Sequence, residues 1–444
     1  MYRKNIVLLL CFIAFTTVSQ EKWTLNRCIR YGVDNNLTVQ NAAISEDIAD
    51  ISLKQTKWSY LPEIYAGSSA GMNYGRSIDP STNAVVKTSF FGNSYYLSAS
   101  LPLFSGFSQL NKMAYQRFLS LSAENKHVKL EDEIAFTVMN AFFDVVYYDE
   151  LLSIADEQRE LSKLNQRKTE ILVTTGLKSE ADLLEVKANV EKDELFYIQS
   201  KNYLEAAQIN LRKAMNLGFD TRLELEKPQD SVFVISTDDV NHEMLFQNYA
   251  QWSPELNSYE NEWKASLKKV GISRSAYYPL ASLEASYGTG YYETNKDSSG
   301  KTYAFSNQFR NNESKYVGLS LTIPIFTKNQ VRLSVREAKL ASEQSKNLLD
   351  KAKQDLQLEI VENVNSMIAA SRELKQAQNQ LEADKLAFEA AQKKYDRGMI
   401  GVVDFYTAKN RLSTTKGQAL RARLTLEIKK RTIDFYKGIR FWEK

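Results

Sequence analysis

What most limits the folds open to this chain is an internal repeat held at one spacing. Leu101-Pro102-Leu103-Phe104 returns as Ile323-Pro324-Ile325-Phe326, Gly176 as Gly398 and Asp182 as Asp404, every pair at an offset of 222. The spacing from proline to glycine is therefore 74 in both halves. Leu61-Pro62 matches Tyr278-Pro279 at the slightly smaller offset of 217. Duplication at this scale marks two copies of one structural unit, and so closely kept a spacing marks a length under constraint.

The stretch from proline to glycine reads as helix. Ile134, Val138, Ala141, Val145, Tyr148, Leu152 and Ala155 alternate steps of four and three, the seam of a coiled coil. Met367, Ala370, Leu374, Ala377, Leu381, Asp384, Phe388, Ala391 and Tyr395 do the same, with Asp384 the one charged member. Neither 105–175 nor 327–397 contains a proline. A helix of about 65 residues is roughly 100 Å long, far more than a compact domain uses.

The return from each glycine is split in two. In the first half a helix over 179–217 is closed by Gly218, a polar linker containing Pro228 follows, and a second helix is expected over 238–278. In the second half a helix over 402–436 has no successor, and its missing partner is supplied by an N-terminal helix over 23–60. Chain start and chain end should then meet, beside a belt formed by 219–237 and the C-terminal residues.

Each half also carries two strands joined by a loop. Tyr95, Leu97, Ala99, Leu101 and Leu103 alternate with Ser94, Tyr96, Ser98 and Ser100; Val317, Leu319, Leu321, Ile323 and Ile325 alternate with Gly318, Ser320 and Thr322. The weaker partners carry Ile64, Ala66, Ala70, Met72 and Tyr74, and Leu283, Ala285, Tyr287 and Tyr291. Segments of about ten residues with one apolar and one small-polar face fit a transmembrane barrel, although a soluble sheet shows the same alternation. Tyrosines near strand ends (Tyr74, Tyr95, Tyr96, Tyr287, Tyr291, Tyr292) favour the membrane, as an interfacial girdle would. Four strands cannot close a barrel, and an open edge in lipid leaves backbone groups unpaired, so other copies must complete the wall. The loops 76–93 and 293–312 are read as long, polar and facing outside the cell.

The remaining composition narrows the function. Residues 1–20 read as a secretory signal: Arg3 and Lys4, an apolar run from Ile6 to Phe15, and a small or polar exit. Its removal takes the formal charge from +3 to +1, which gives no support for nucleic-acid binding. Cys28 would then be the sole cysteine, excluding a disulfide framework within one chain. His127 and His242 are read as solvated surface, with no metal and no cofactor expected.

Together these features resemble the TolC family of outer-membrane efflux and export channels over essentially the whole mature length. The resemblance rests on the duplicated β-β-α-α layout, the two strand-end Leu-Pro-Leu-Phe and Ile-Pro-Ile-Phe motifs, Thr24-Leu25-Asn26-Arg27-Cys28-Ile29, and the turns Thr175-Gly176-Leu177 and Arg397-Gly398-Met399. It implies an α+β membrane protein: a signal at 1–20, a first repeat 21–218 with strands 62–75 and 94–103, a belt 219–237, and a second repeat 238–444 with strands 281–292 and 315–325. Three copies would form a twelve-stranded β-barrel in outer-membrane lipid, with a long coiled-coil α-barrel in the periplasm. Such a homotrimer is the passive exit duct of a tripartite efflux or type I secretion system. A periplasmic adaptor docks on it, and an inner-membrane pump of RND, ABC or MFS type is reached indirectly.

The resemblance also places candidate residues. Gly176, Leu177, Gly398 and Met399 fall at the tips that meet the adaptor. Asp404 falls on the family's inner aspartate and Asp182 on its first-repeat counterpart, so that three-fold symmetry would gather a ring attractive to cations. Glu180 and Glu185 could add negative charge at the pore, or serve simply as helix-dipole partners. Thr407 stands where a well-known member has a second aspartate, and Ile400 where it has a gating arginine. That member's inter-repeat salt bridge is therefore not expected, and cation blocking should be weaker.

Two other classes compete. No nucleophile elbow, P-loop, dinucleotide fingerprint or metal cluster supports an enzyme. A soluble periplasmic coiled-coil scaffold or adaptor explains the helices, but neither the strands nor the duplication.

Overall fold

The computed structural model describes residues 22–78, 83–87, 89–221, 223–226, 241–440 and 442; the expected signal and most of the 219–237 belt, with Pro228, lie outside these. The element order is α1 Leu25–Asn35, α2 Leu37–Trp58, β1 Glu63–Asn73, β2 Arg76–Ile78, β3 Val85–Lys87, β4 Phe90–Ser105, α3 Ser108–Thr174, α4 Glu180–Met215, α5 His242–Trp252, α6 Pro254–Ser275, β5 Leu280–Tyr292, α7 Phe305–Asn311, β6 Ser314–Thr322, α8 Gln330–Asp396 and α9 Val402–Tyr436. The long helices α3 and α8 have 67 residues each, and the starts of α3 and α8, and of α4 and α9, keep the offset of the sequence repeat. The backbone keeps it too. Gly106 and Phe107 are both left-handed between β4 and α3, as are Lys328 and Asn329 between β6 and α8.

The chain forms two compact units: residues 1–37, 133–240 and 363–444 in one, and 38–132 with 241–362 in the other. Each unit draws on both repeats.

The sheet-bearing unit contains a four-stranded antiparallel sheet in the order β1-β4-β5-β6. Its registers gather the four apolar sets on one face: Ile64 opposes Ala99, Ala66 opposes Leu97, Leu101 opposes Leu283, and Ala285 opposes Val317. Ser98, Ser286, Ser320 and Gly318 share the other face with Tyr65, Tyr96 and Tyr316. Tyr96 and Tyr292 thus belong to the polar face; of the expected girdle, Tyr95, Tyr287 and Tyr291 stay on the apolar face, and Tyr74 lies just beyond the end of β1. Tyr96 lies across Gly67 and Tyr316 across Gly318, where an added Cβ would collide with the ring. β6 ends at Thr322 rather than 325, because Thr322 pairs with Leu280, the first residue of its partner β5.

Three further expectations change. The helix expected over 23–60 breaks at Asn36, and that over 238–278 breaks at the corresponding Ser253, the offset of 217 again. Pro254 at the first position of α6 forces the second break. At the first, Asn36 takes extended backbone and its amide donates to Ala214 O (3.2 Å). The loops are not simply polar: one carries the hairpin β2–β3 and the other the aromatic helix α7. His127 is half-buried, its Nδ1 2.8 Å from Glu46, which links α3 to α2.

In the other unit, the start and end of the chain meet: Arg30 Nε donates to Trp442 O (2.9 Å), and Phe136 packs edge-on against Phe435. Trp23 forms a parallel bridge to Leu225. Among the described residues, no helix is long and apolar enough to cross a membrane.

Candidate functional site: the helical turns and their charges

Two turns close the helical hairpins α3–α4 and α8–α9, and they are built alike. Gly176 N–H donates to Val173 O (3.0 Å) and Leu177 N–H to Leu172 O (2.8 Å); Gly398 N–H donates to Tyr395 O (3.0 Å) and Met399 N–H to Lys394 O (2.8 Å). This is the Schellman arrangement, which needs a left-handed residue, and the glycines supply φ of +73° and +71°. Leu177 and Met399 follow, 73% and 64% exposed. Both turns offer an apolar side chain that the single chain leaves uncovered.

Asp182 and Asp404 occupy the same position, third residue of α4 and of α9. Their surroundings differ. Ser179 Oγ accepts from the Asp182 N–H (3.1 Å), and the Asp182 carboxylate accepts from the Ser179 N–H (3.2 Å) and hydroxyl (2.8 Å), a complete capping box. These bonds hold the Asp182 carboxyl below the usual carboxylate range. α9 is preceded by Gly401, which has no side chain to cap with, and Asp404 is exposed. Of the two aspartates, Asp404 is the one not engaged by a preceding hydroxyl. Glu180 and Glu185 are exposed on α4.

The capping box has a measurable consequence. Because folding lowers the Asp182 value, its contribution is full above the ordinary carboxylate value near 4 and is lost as pH falls through the lower folded value. Protection against amide exchange in the first turn of α4, taken relative to the intrinsic rate at each pH, should therefore fall below about pH 4 and stay level between 5 and 8. Ser179→Ala should cost about 1 kcal/mol of local stability.

Side chains from the two hairpins meet just behind the turns. Val186 of α4 packs with Tyr395, Val402, Phe405 and Tyr406. Tyr395 and Phe405 stack at 4.6 Å between centroids. Lys178 Nζ donates to the Tyr395 hydroxyl (3.0 Å), and Lys168 pairs with Asp396 at 2.6 Å. The two repeats are thus joined near the tip by one ion pair, Lys168–Asp396, and by the Lys178–Tyr395 hydrogen bond.

Deeper in the same unit lies a buried charge pair. Lys409 of α9 is fully buried; Nζ donates to Ser162 Oγ of α3 (2.6 Å) and to the Asp193 carboxylate of α4, and Ser162 donates to Asp193 (2.5 Å). Burial draws the Lys409 ammonium below its ordinary value, with Asp193 opposing. Burial pushes the neighbouring Tyr406 phenol up to about 12. Asp384, the charged residue in the α8 seam, is also buried, held by Arg411 (2.5 Å) and the Thr415 hydroxyl (2.7 Å). Sequence reading could flag Asp384 as a break in a stripe, whereas nothing local distinguished Lys409 or Asp193.

A duplicated strand–long-helix unit with an exposed apolar sheet face is the architecture of an outer-membrane channel protomer. Solved structures share the fold: the chain superposes on CusC, described through its folding and transmembrane channel formation, with a TM-score of 0.78 at 16% identity, covering 93% of this chain and 91% of that one. Residues 245–438 match the family model described as outer membrane efflux protein. Alkaline protease secretion protein AprF of Pseudomonas aeruginosa is 21% identical over 394 residues, 85% of this chain and 77% of that protein. The probable efflux pump outer membrane protein TtgC of Pseudomonas putida is 20% identical over 410 residues, 90% and 80% of the two. Over residues 245–438 the chain is thus similar to the outer membrane efflux protein family, and over nearly its whole length it shares the fold of solved outer-membrane channels.

Proposed function

We propose that this protein is the passive exit duct of a tripartite efflux or type I secretion system, working as a homotrimer in the outer membrane without catalysing a reaction. The observation that carries this reading is a four-stranded sheet that one chain cannot complete. One face is apolar and exposed, and among the described residues β1 and β6 each have a single partner strand. Beyond β6, Ile325 and Phe326 are 95% and 82% exposed. In the first repeat the equivalent Phe104 packs on Phe107, which packs on Tyr278 at the end of the next helical segment. Among the described residues, Phe326 lacks such a covering segment. Another copy's residues around Tyr60-Leu61, which precede β1 and are themselves exposed, supply it. Head-to-tail repetition closes both open edges, and three copies give twelve strands. The Ser- and Gly-rich face then lines a wet bore and the apolar face meets lipid.

Leu177 and Met399, presented by Gly176 and Gly398, form the adaptor contact, through which the inner-membrane pump is coupled. Asp404 forms the selective ring at the closed end of the helical tunnel; Asp182 keeps the cap of α4, with Glu180 and Glu185 adding charge nearby. Single-channel conductance in planar bilayers tests this. The wild type should give a small, cation-selective conductance, and Asp404→Ala should lose most of that preference. An unchanged preference would remove Asp404 from the gate, and a chain released from membranes by salt alone would remove the channel itself.

A further inference from the structure

We propose that α7 is an anchor seated in the headgroup region of the outer leaflet, on the lipid side of the barrel wall. This rests on the reading of the apolar sheet face as lipid-facing. α7 lies between β5 and β6, at the sheet end opposite the long helices, where β5 outruns β6: pairing stops at Gly288–Ser314 while β5 continues to Tyr292. Side chains replace the missing strand. Buried Gln308 accepts from Tyr292 N–H (3.0 Å) and donates to Tyr292 O (3.0 Å), and Asn312 donates to Gly290 O (2.8 Å). Thr289 Oγ1 donates to Phe309 O (2.6 Å). The helix is thus fixed to the wall rather than carried on a free loop.

This attachment turns Phe305 and Phe309, one helical turn apart, onto the apolar face. Phe309 meets Tyr95 at 5.6 Å between centroids, and Phe305 meets Tyr291 at 5.9 Å. Tyr95 and Tyr291 belong to the same face as Leu97 and Val317, by register. Both phenylalanines nevertheless stay exposed, as does Tyr303 just before the helix. The level is set by Lys315, which stands on this same face opposite Tyr287, with its ammonium 5.9 Å from that ring. A lysine on a lipid-facing strand marks the rim of the apolar band, and rings just beyond it sit where amphipathic aromatics partition. A neighbouring copy would approach along the strand edge, whereas these rings extend the face.

Nitroxide labels read by collision with oxygen and with a water-soluble nickel complex test the assignment. The full protein, reconstituted in phosphatidylethanolamine–phosphatidylglycerol vesicles, would carry Phe305→Cys, Phe309→Cys, Val317→Cys or Ser298→Cys; Cys28 is fully buried and does not compete. Labels at 305 and 309 should report a depth between the lipid-buried 317 and the aqueous 298. Aqueous values at 305 and 309 with 317 in lipid overturn the anchor and leave the channel intact. Shielding from both reagents means a neighbouring copy covers the rings, which overturns it equally. An aqueous 317 removes the lipid-facing sheet, and the anchor with it. Should the cysteine variants fail to assemble, Phe305→Trp retains a ring; lipids brominated near the glycerol end should quench it beyond the wild-type tryptophans, and no added quenching rejects the anchor.

Discussion

Replacing Lys409 with methionine should destabilise the helical hairpins by about 3–5 kcal/mol, because Asp193 would remain buried with its counter-charge removed. The groups come from three helices: Lys409 from α9, Asp193 from α4 and Ser162 from α3. Exposed pairs such as Lys346–Asp350 on α8 are worth far less, from about 0 to 1 kcal/mol, since water solvates both ions before and after pairing. Asp193→Leu added to Lys409→Met should recover most of the loss, as both desolvated charges then disappear together. Thermal unfolding of the detergent-solubilised protein, followed by helical circular dichroism, separates the cases. A Lys409→Met midpoint equal to wild type would mean that Asp193 finds water or another cation in the assembled protein.

The second large effect is expected at the junction of β4 and α3. Gly106 has φ +59°, and a Cβ there would lie 2.4 Å from the Ser275 carbonyl oxygen and 2.8 Å from Tyr278 Cβ. Gly106→Ala combines a left-handed penalty of about 1–2 kcal/mol with overpacking of about 1–3 kcal/mol against backbone that cannot rotate aside. Gly176→Ala has the same handedness, φ +73°, but opens onto empty space and should cost only the first of these. The two alanine variants, compared by midpoint and by folded yield in the outer membrane, isolate the close approach of α6. Equal losses would show that handedness alone matters and that the junction can relax.

These two sites mark where sequence reading ends. The long helices α3 and α8 and the four apolar strand faces follow from the helical period and from strand alternation, because regular backbone hydrogen bonding fixes where side chains point. The turns at Gly176 and Gly398 were visible for a related reason: a glycine ending a helical period signals a left-handed cap. The breaks at Asn36 and Ser253 are at the limit of this. Pro254 could have been read as a helix start, while Asn36 is settled by its amide reaching Ala214 across 178 residues of chain.

What the sequence by itself determined, then, is the duplicated plan, the span of its two long helices and the two-faced character of its strands, since each is a property of neighbours along the chain. Tertiary structure alone decided that Lys409 meets Asp193 from 216 residues away, that Gly106 lies under the α6 carbonyl, and that α7 completes the edge of β5. Each of these depends on which faces of distant elements meet, and burial, which sets the cost of a charge or an added methyl group, exists only once they do.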